Sequence, residues 1–298
     1  MSQQSVLDVQ DLYVTFHQDK KSAELVKGVS FSVAPGECLG ILGESGSGKS
    51  MTAKAMLGLL DRSFEVRGKV FFQGESLLEK DADALRRLRG SRICMVLQNP
   101  MSCFDPLYRI GAQMAETFQE HTDWSSAEIR AKSIEVLKLM KIRDPEDVLR
   151  KYPHQMSGGQ LQRVCIARAV ALKPRFILLD EAISSLDAAT QIQVMDLLKD
   201  LRRELNLSYV FITHDLTAIT YFCDRVRFLH NGSFVEAVDD MSRIGDIRNT
   251  YARDLLRAVM GIGIHGAPDP EAEARMERDE EIGTPHGDVM HVQGQVLY

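Results

Sequence analysis

An apolar run, Cys38-Leu39-Gly40-Ile41-Leu42, leads directly into Gly43-Glu44-Ser45-Gly46-Ser47-Gly48-Lys49-Ser50, and a helical pattern follows. Such a run suits a strand buried on both faces, as in a parallel sheet. The octet has the form G-x-x-x-x-G-K-[ST]. Its glycines, Gly43, Gly46 and Gly48, let the backbone curl with several N–H groups pointing inward, around Ser45, at a helix N-terminus. That is a nest for anionic oxygens. Lys49 adds a positive charge for the outer phosphates of a nucleotide, and the Ser50 hydroxyl is placed to ligate Mg2+. A glycine-rich turn with an incidental lysine would not require the strand before it or the helix after it.

A phosphate nest alone suits kinases, GTPases, helicases and many other ATPases. The second half of the chain narrows the choice. Phe176-Ile177-Leu178-Leu179-Asp180-Glu181 reads as a buried strand ending in two carboxylates. Asp180, at the strand tip, can hold Mg2+ through its water shell. Glu181 can polarise an attacking water as a general base.

The rest of the chain is organised around these two strands. Alternation predicts strands over Val6 to Phe16 and Leu25 to Val33, and shorter ones at Lys69 to Phe72 and Arg92 to Leu97. A helix is expected through Ala53 to Leu60. Residues 108–155 carry helical periodicity (Ile110, Met114, Phe118, then Ile129, Ile134, Leu137, Met140) and read as an insertion of about fifty residues. Beyond it come a helix from Ser157 to Leu172, the strand Arg175 to Asp180, a helix from Ala188 to Glu204 and strands at Ser208 to Thr213 and Arg225 to His230. Asn231-Gly232 then turns the chain into Ser233 to Val238, a hairpin signal.

Composition excludes several classes. The 298 residues are 44% hydrophobic, enough for a sizeable core, and no apolar run approaches the length of a membrane span. The N-terminus lacks the basic start and apolar stretch of a signal peptide. The five cysteines (Cys38, Cys94, Cys103, Cys165, Cys223) form no CxxC pair, which suggests neither a disulfide framework nor a zinc site and points to a reducing, cytoplasmic address. Net charge is −6, from 36 basic and 42 acidic residues, against a nucleic-acid partner. The cluster Arg86, Arg87, Arg89, Arg92 reads as the solvated face of a short helix. From Gly261 to Tyr298 glycine, proline and acids accumulate. This stretch reads as an acidic, weakly structured tail whose His265, His286 and His291 are too widely spaced for a metal site.

Met156-Ser157-Gly158-Gly159-Gln160 is the more specific signal. It resembles the signature motif (LSGGQ type) of ATP-binding cassette (ABC) proteins, with Met156 in the leucine position and Gln162-Arg163 following. Physically it is a second anion site, a serine hydroxyl and glycine N–H groups at a helix start. The resemblance covers about Val6 to Val238. It implies an α/β fold: a P-loop NTPase core of ABC type, with an N-terminal antiparallel β subdomain and an inserted α-helical subdomain. The ABC domain is expected over residues 1–260, the helical insertion over about 107–157 and the tail over 261–298.

The family's site residues carry over one by one as what the resemblance implies. Phe16, with Tyr13 as the lesser candidate, stands where an aromatic stacks on adenine. Gln98 matches the glutamine that touches Mg2+ and the water and signals to the membrane partner. Ser184-Ser185-Leu186-Asp187 resembles the D-loop, so Asp187 joins the nucleotide-binding set. His214, after Ile212-Thr213 and before Asp215, matches the histidine that hydrogen-bonds the γ-phosphate. Met51 stands in the nest where threonine is commoner, and Ala182 where proline is commoner. Neither removes a group that touches phosphate, metal or water, so an active ATPase is expected.

The resemblance also implies partners. Each motif occurs once, and in this family the signature helix of one domain closes on the nucleotide of another. A second ABC subunit, identical or related, is therefore expected. Integral-membrane permease subunits and, indirectly, a substrate-binding protein follow, with the chain at the cytoplasmic face of the bacterial cell membrane. Gln98-Asn99-Pro100-Met101-Ser102-Cys103-Phe104-Asp105-Pro106 resembles a segment of peptide/nickel importer ATPases and looks closest to the nickel-import subunits. A dipeptide or oligopeptide importer is the alternative within the family. A soluble ABC ATPase acting on nucleic acid or ribosomes is the distant one, because such chains usually carry two cassettes, a long coiled-coil insertion or a basic surface.

Overall fold

The computed structural model describes residues 5–18 and 21–260, so the expected tail and its three histidines lie outside the described residues. Elements in chain order are β1 (Leu7–Gln18), β2 (Lys21–Val33), β3 (Cys38–Leu42), α1 (Lys49–Met56), β4 (Phe64–Phe72), β5 (Glu75–Ser76), α2 (Ala82–Leu88) and β6 (Ile93–Val96). The insertion supplies α3 (Ile110–Gln119), α4 (Ser126–Leu139) and α5 (Pro145–Arg150). Then come α6 (Gly158–Val170), β7 (Phe176–Asp180), α7 (Ala188–Leu205), β8 (Ser208–Thr213), α8 (Leu216–Phe222), β9 (Arg225–His230), β10 (Ser233–Val238) and α9 (Thr250–Met260).

Two sheets result. One is antiparallel, in the order β2-β1-β4-β5; the other runs β10-β9-β3-β8-β7-β6 and is parallel except for the β9–β10 hairpin. Every residue of β3, β7 and β8 is buried. Successive side chains of a strand point to opposite faces, so each of these strands serves two cores. Leu39 and Ile41 of β3, with Phe176 and Leu178 of β7, pack beneath α1 and the antiparallel sheet. Cys38 and Leu42, with Ile177 and Leu179, pack against the helices on the other face. This two-sided burial explains why these segments read as continuous apolar runs.

Between β6 and α6 the chain forms the expected helical unit. A capping box starts α4, with the Ser125 side chain taking the Glu128 N–H and the Glu128 carboxylate taking the Ser125 N–H. Phe118, Ile129 and Ala171 make its small separate core, with Trp124 tilted against Phe118 at 5.5 Å between centroids.

Four local expectations are corrected. The helix placed over Ala53 to Leu60 begins at Lys49 and ends at Met56. The nest itself starts it, with Gly48 at φ +104° as N-cap. A Schellman turn stops it: Gly58 sits at φ +63°, its N–H bonds Ala55 O at 3.0 Å, and Leu59 N–H bonds Lys54 O at 2.8 Å. The strand placed at Lys69 begins at Phe64, because Gly68 (φ +115°) and Asp11 (φ +47°) carry an irregularity through which β1 and β4 stay paired. An alanine at position 68 would drive its Cβ into Asp11 O. Two helices, α8 and α9, were not anticipated; each is short or lies past the last sequence motif. Finally, Arg89 does not join a solvated face: its guanidinium donates to Leu57 O (2.6 and 3.0 Å) and Gly58 O (2.8 Å), satisfying the carbonyls that α1 leaves open.

Arg89→Ala removes the donors from the α1 terminus and should lower unfolding stability by about 2 kcal/mol, the scale of charge-assisted hydrogen bonds lost from part-buried acceptors. Urea midpoints for Arg89→Ala beside Arg87→Ala, an exposed arginine of the same helix, check this. Equal, near-zero shifts would contradict the anchoring role.

Candidate functional site

Parallel register places the chemistry. Leu42, the last residue of β3, pairs with Thr213 of β8, and Asp180 of β7 pairs with Ile212. The three strands therefore end together, and the loops after them (Gly43–Ser50, Glu181, His214) share one edge of the sheet. Ligands bind at this carboxyl edge in open α/β sheets.

The nest is tightly supported. A Cβ at Gly43 would collide with Leu229 O, and one at Gly48 would come within 2.8 Å of Leu25 O, so side chains are excluded at both. At Gly46, φ is +81° and nothing stands within 4 Å of where a Cβ would project. The β9–β10 turn braces the loop from below: Gly232 N–H donates to Ser47 O at 3.0 Å, and Lys27 N–H to Gly232 O at 2.8 Å. Asn231 (φ +49°) and Gly232 (φ +84°) give this turn the left-handed conformation expected from an Asn-Gly pair.

Lys49 is 5% exposed, and its ammonium donates to Gly43 O and Glu44 O, both at 2.7 Å. It stands 3.9 Å from Glu181 Oε1. Burial holds its pKa below the ordinary lysine value, against the opposing pull of Glu181 and Asp180. Asp180 is 7% exposed and accepts from the Ser50 hydroxyl at 3.2 Å. Burial raises its pKa, partly offset by that bond. Loss of water thus pushes the cation and the carboxylate each toward its neutral form. An anion arriving with its own divalent cation would favour both charged forms again. Ser47 Oγ, buried and without a hydrogen-bond partner among the described residues, faces the same loop. These groups fit a nucleotide polyphosphate, with Mg2+ beside Ser50 and Asp180.

Glu181 occupies a strained position. Its φ is +48°, unusual for a residue with a side chain, and its N–H donates to Ile212 O at 2.8 Å. That backbone turns the carboxylate back over the nest, between Lys49 and His214, whose Nδ1 lies 3.3 Å from Glu181 Oε2. Glu181 is 18% exposed on its side chain, while His214 is largely open to solvent.

The other anticipated residues lie apart from this cluster. Gln98 is exposed at the exit of β6, and its carbonyl accepts from the Ser185 hydroxyl at 3.2 Å, joining it to the Ser184–Asp187 segment. Ser157 caps α6, accepting from Gln160 N–H while Gln160 Oε1 accepts from Ser157 N–H, both at 3.3 Å. Gly158 and Gly159 follow in the first turn, and a Cβ on Gly159 would press on Thr190 at 2.7 Å. Asp187 caps α7, taking the Thr190 N–H at 3.0 Å and its hydroxyl at 2.6 Å. The signature segment and Asp187 thus form a second, outward-facing cluster rather than part of the nest. Phe16 is half-buried in β1, tilted against Phe64 at 4.9 Å between centroids. Met51 packs its side chain into the core beneath the antiparallel sheet, leaving its backbone to the nest.

One residue of the site was missed. Tyr251 of α9 takes the Glu44 N–H on its hydroxyl at 3.1 Å and packs its ring on His230 at 4.2 Å between centroids. Glu236 fixes the entry to α9 by accepting from Arg248 and Asn249 N–H, each at 2.8 Å, bonds that also hold its pKa low. Nothing near Tyr251 in the sequence signals a contact so far back along the chain.

The ABC transporter family model matches residues 26–184. The chain is 41% identical over 257 residues to the peptidoglycan transport ATP-binding protein YejF of Agrobacterium fabrum, covering 86% of this chain and 47% of that protein. It therefore spans about half the length of that relative. It is 40% identical to a probable peptide ABC transporter ATP-binding protein of Sinorhizobium fredii, covering 85% of this chain and 76% of the other. It is 39% identical to the metal-staphylopine import system ATP-binding protein CntD of Staphylococcus aureus, covering 81% and 89%. Among solved structures, a dimeric post-hydrolysis ATP-binding cassette bound to ADP and Pi matches with TM-score 0.69 at 29% identity, covering 78% of this chain and 97% of that one. The chain belongs to the ABC transporter family, as an ATP-binding and ATP-hydrolysing subunit.

Tyr251→Phe keeps the ring but loses the acceptor for Glu44 N–H. With one neutral hydrogen bond worth about 1 kcal/mol, ATP affinity should fall about fivefold at little cost in melting temperature. Equilibrium nucleotide binding beside a thermal melt checks this; unchanged affinity would remove Tyr251 from the site.

Proposed function

We propose that this member of the ABC transporter family powers an importer of peptides or metal complexes, hydrolysing ATP at the edge where Glu181 lies between Lys49 and His214. That placement of Glu181 is the observation that carries the reading. Peptide and metal-staphylopine transport in the names of its relatives support the cargo class. Nickel, the narrower reading of the sequence, is one metal within that class, and a peptide importer stands beside it.

In this reading the backbone N–H groups around Ser45 to Met51 bind the β- and γ-phosphates, and Lys49 turns its ammonium from Gly43 O and Glu44 O to the phosphate oxygens. Ser50 and Asp180 would hold Mg2+, with Gln98 joining them if its side chain turns in from the exit of β6, and the ion would neutralise charge on the outer phosphates. Glu181, ionised, takes a proton from the attacking water. His214, oriented by its contact with Glu181, donates to a γ-phosphate oxygen. Phe16 offers its face to the adenine. Ser157, Gly158, Gly159 and Gln160, with Asp187, face outward to complete the nucleotide site of a second cassette, so the working unit is a dimer, homomeric or heteromeric. A solved relative in the dimeric, ADP- and Pi-bound state supports that arrangement.

Among the described residues no helix is long and apolar enough to cross a membrane, so the bilayer crossing is assigned to permease subunits. A groove of about 430 Å³ in the helical unit, lined by Leu107, Tyr108 and Leu149 together with Arg109, Arg130 and Arg150, suits a segment of such a partner that carries both apolar and acidic side chains. Leu107 and Tyr108 are 79% and 58% exposed at its mouth. In this reading the chain sits at the cytoplasmic face of the membrane, within reach of a substrate-binding protein only through the permease.

Glu181→Gln preserves shape while removing the base. It should retain ATP binding, lower turnover at least about 100-fold and accumulate an ATP-bound dimer, read by phosphate release and size-exclusion chromatography. Wild-type turnover in that variant would end the assignment. Lys49→Ala should instead weaken ATP binding itself by about tenfold or more, measured by equilibrium dialysis.

A further inference from the structure

A glutamine side chain carries amide donors and a carbonyl acceptor, so burying one is costly unless the fold supplies partners. Among the described residues two glutamines are buried, Gln113 and Gln162, and the fold treats them differently. Gln113 of α3 is fully used. Its Oε1 accepts from Asp105 N–H at 2.9 Å, and its Nε2 donates to Asp105 O and Tyr108 O, both at 3.0 Å. Gln162 of α6 is 0% exposed, yet neither its Oε1 nor its Nε2 has a hydrogen-bond partner among the described residues. Its polar neighbours in the helix are engaged. Gln160 closes the cap with Ser157, and Arg163 donates to Met140 O at 3.4 Å and to Gln193 Oε1 of α7 at 3.0 Å.

Helical spacing puts Gln162 on one face with Gly158 and Gly159 before it and Cys165 and Ile166 after it. A Cβ on Gly158 would meet Leu186 Cδ2 at 3.9 Å, and one on Gly159 would meet Thr190 Cγ2 at 2.7 Å. The N-terminal end of the face therefore borders the Ser184–Asp187 segment and the start of α7. One turn further on, Cys165 Sγ reaches Pro100 O at 3.8 Å, so the face borders the turn that follows Gln98. Those two segments are themselves joined by the Ser185 hydroxyl on Gln98 O. Gln162 thus sits where the signature helix, the Gln98 segment and the Ser184–Asp187 segment meet.

We propose that Gln162 is a positioning residue for the closing of two cassettes: its amide is held without partners in the separate chain and bonds the backbone of the turn after Gln98 when the signature segment engages the nucleotide of a second cassette. This rests on the reading above, in which two cassettes complete each other's sites.

The energetics run in one direction. An unpaired buried amide raises the free energy of the separate chain. An arrangement that supplies a partner recovers that cost, and the difference shifts the equilibrium toward it. In the proposed function both flanks of Gln162 are drawn in by nucleotide. Ser157, Gly158, Gly159 and Gln160 meet the phosphates held by the second cassette, and Gln98 turns toward the ion of its own. The load on α6 falls on its first turn, next to Gln162. A glutamine that merely filled space there would do so no better than methionine, which has similar length and no amide to leave unpaired.

The test uses the full chain and sets stability against closure. Gln162→Met should melt, without nucleotide, at or above the temperature of the unaltered chain and bind ATP with the same affinity. Placed in the Glu181→Gln background, it should need at least about fivefold more ATP to form the dimer, the equivalent of one neutral hydrogen bond, as read by size-exclusion chromatography. Turnover of Gln162→Met alone should fall with it. Gln162→Leu should behave alike, which separates loss of the amide from misfit of one side chain. A lower melting temperature in both variants would show the amide already satisfied in the separate chain and would overturn the proposal. So would unchanged dimer formation, or weaker ATP binding by the separate chain. If Glu181→Gln itself forms no ATP-bound dimer, the two-cassette reading falls, and the proposal falls with it.

Discussion

The parallel register of β3, β8 and β7 is the constraint on which the rest of the site depends. Because Leu42 is level with Thr213, and Asp180 with Ile212, three loops from distant parts of the chain emerge side by side. A slip of one residue in any pairing would turn an inward side chain outward and lose one of the two cores that flank the sheet. The hydrophobic faces that stabilise the fold therefore also set the positions of Lys49, Asp180 and Glu181. Stability and chemistry share the same few backbone hydrogen bonds.

Within that frame the site holds unfavourable states close together. A lysine and an aspartate are both nearly dry, and a glutamate adopts a backbone angle that costs about 1–3 kcal/mol in a non-glycine residue. Each is held by its neighbours: two carbonyls for the ammonium, the Ser50 hydroxyl for Asp180, and Ile212 O for the Glu181 amide. The arrangement is complementary to a polyanion with a divalent cation, whose arrival would replace internal substitutes with stronger partners.

The sequence carried most of this in advance, for physical reasons that vary by element. Residues 38–50 and 176–181 were legible because a doubly buried strand and a glycine-rich loop each leave a local pattern. The antiparallel sheet was legible in alternation, but its extent was not, since a paired irregularity at Asp11 and Gly68 interrupts the period. Gly58 ends α1 by a local turn, but the donor for the carbonyls left open there is Arg89 from another element, which no local rule reveals. Tyr251 and the Cys38–Cys223 contact escaped for the same reason: each joins residues that only the folded chain brings together. Cysteine spacing excluded local clusters such as CxxC, but proximity in space required the fold.

The contact between Tyr251 and Glu44 also orders events at the ribosome. Its two residues are 207 positions apart, and Gly232, the other brace of the nest, is nearly as late. At translation rates of roughly 5–20 residues per second, the loop waits about 10–40 s for the residue that completes its support. Throughout that interval the emerging chain has the phosphate-binding sequence without its finished scaffold. Because its last brace is among the latest residues of the cassette to be made, a chain truncated before α9 would lack a fully supported nucleotide site.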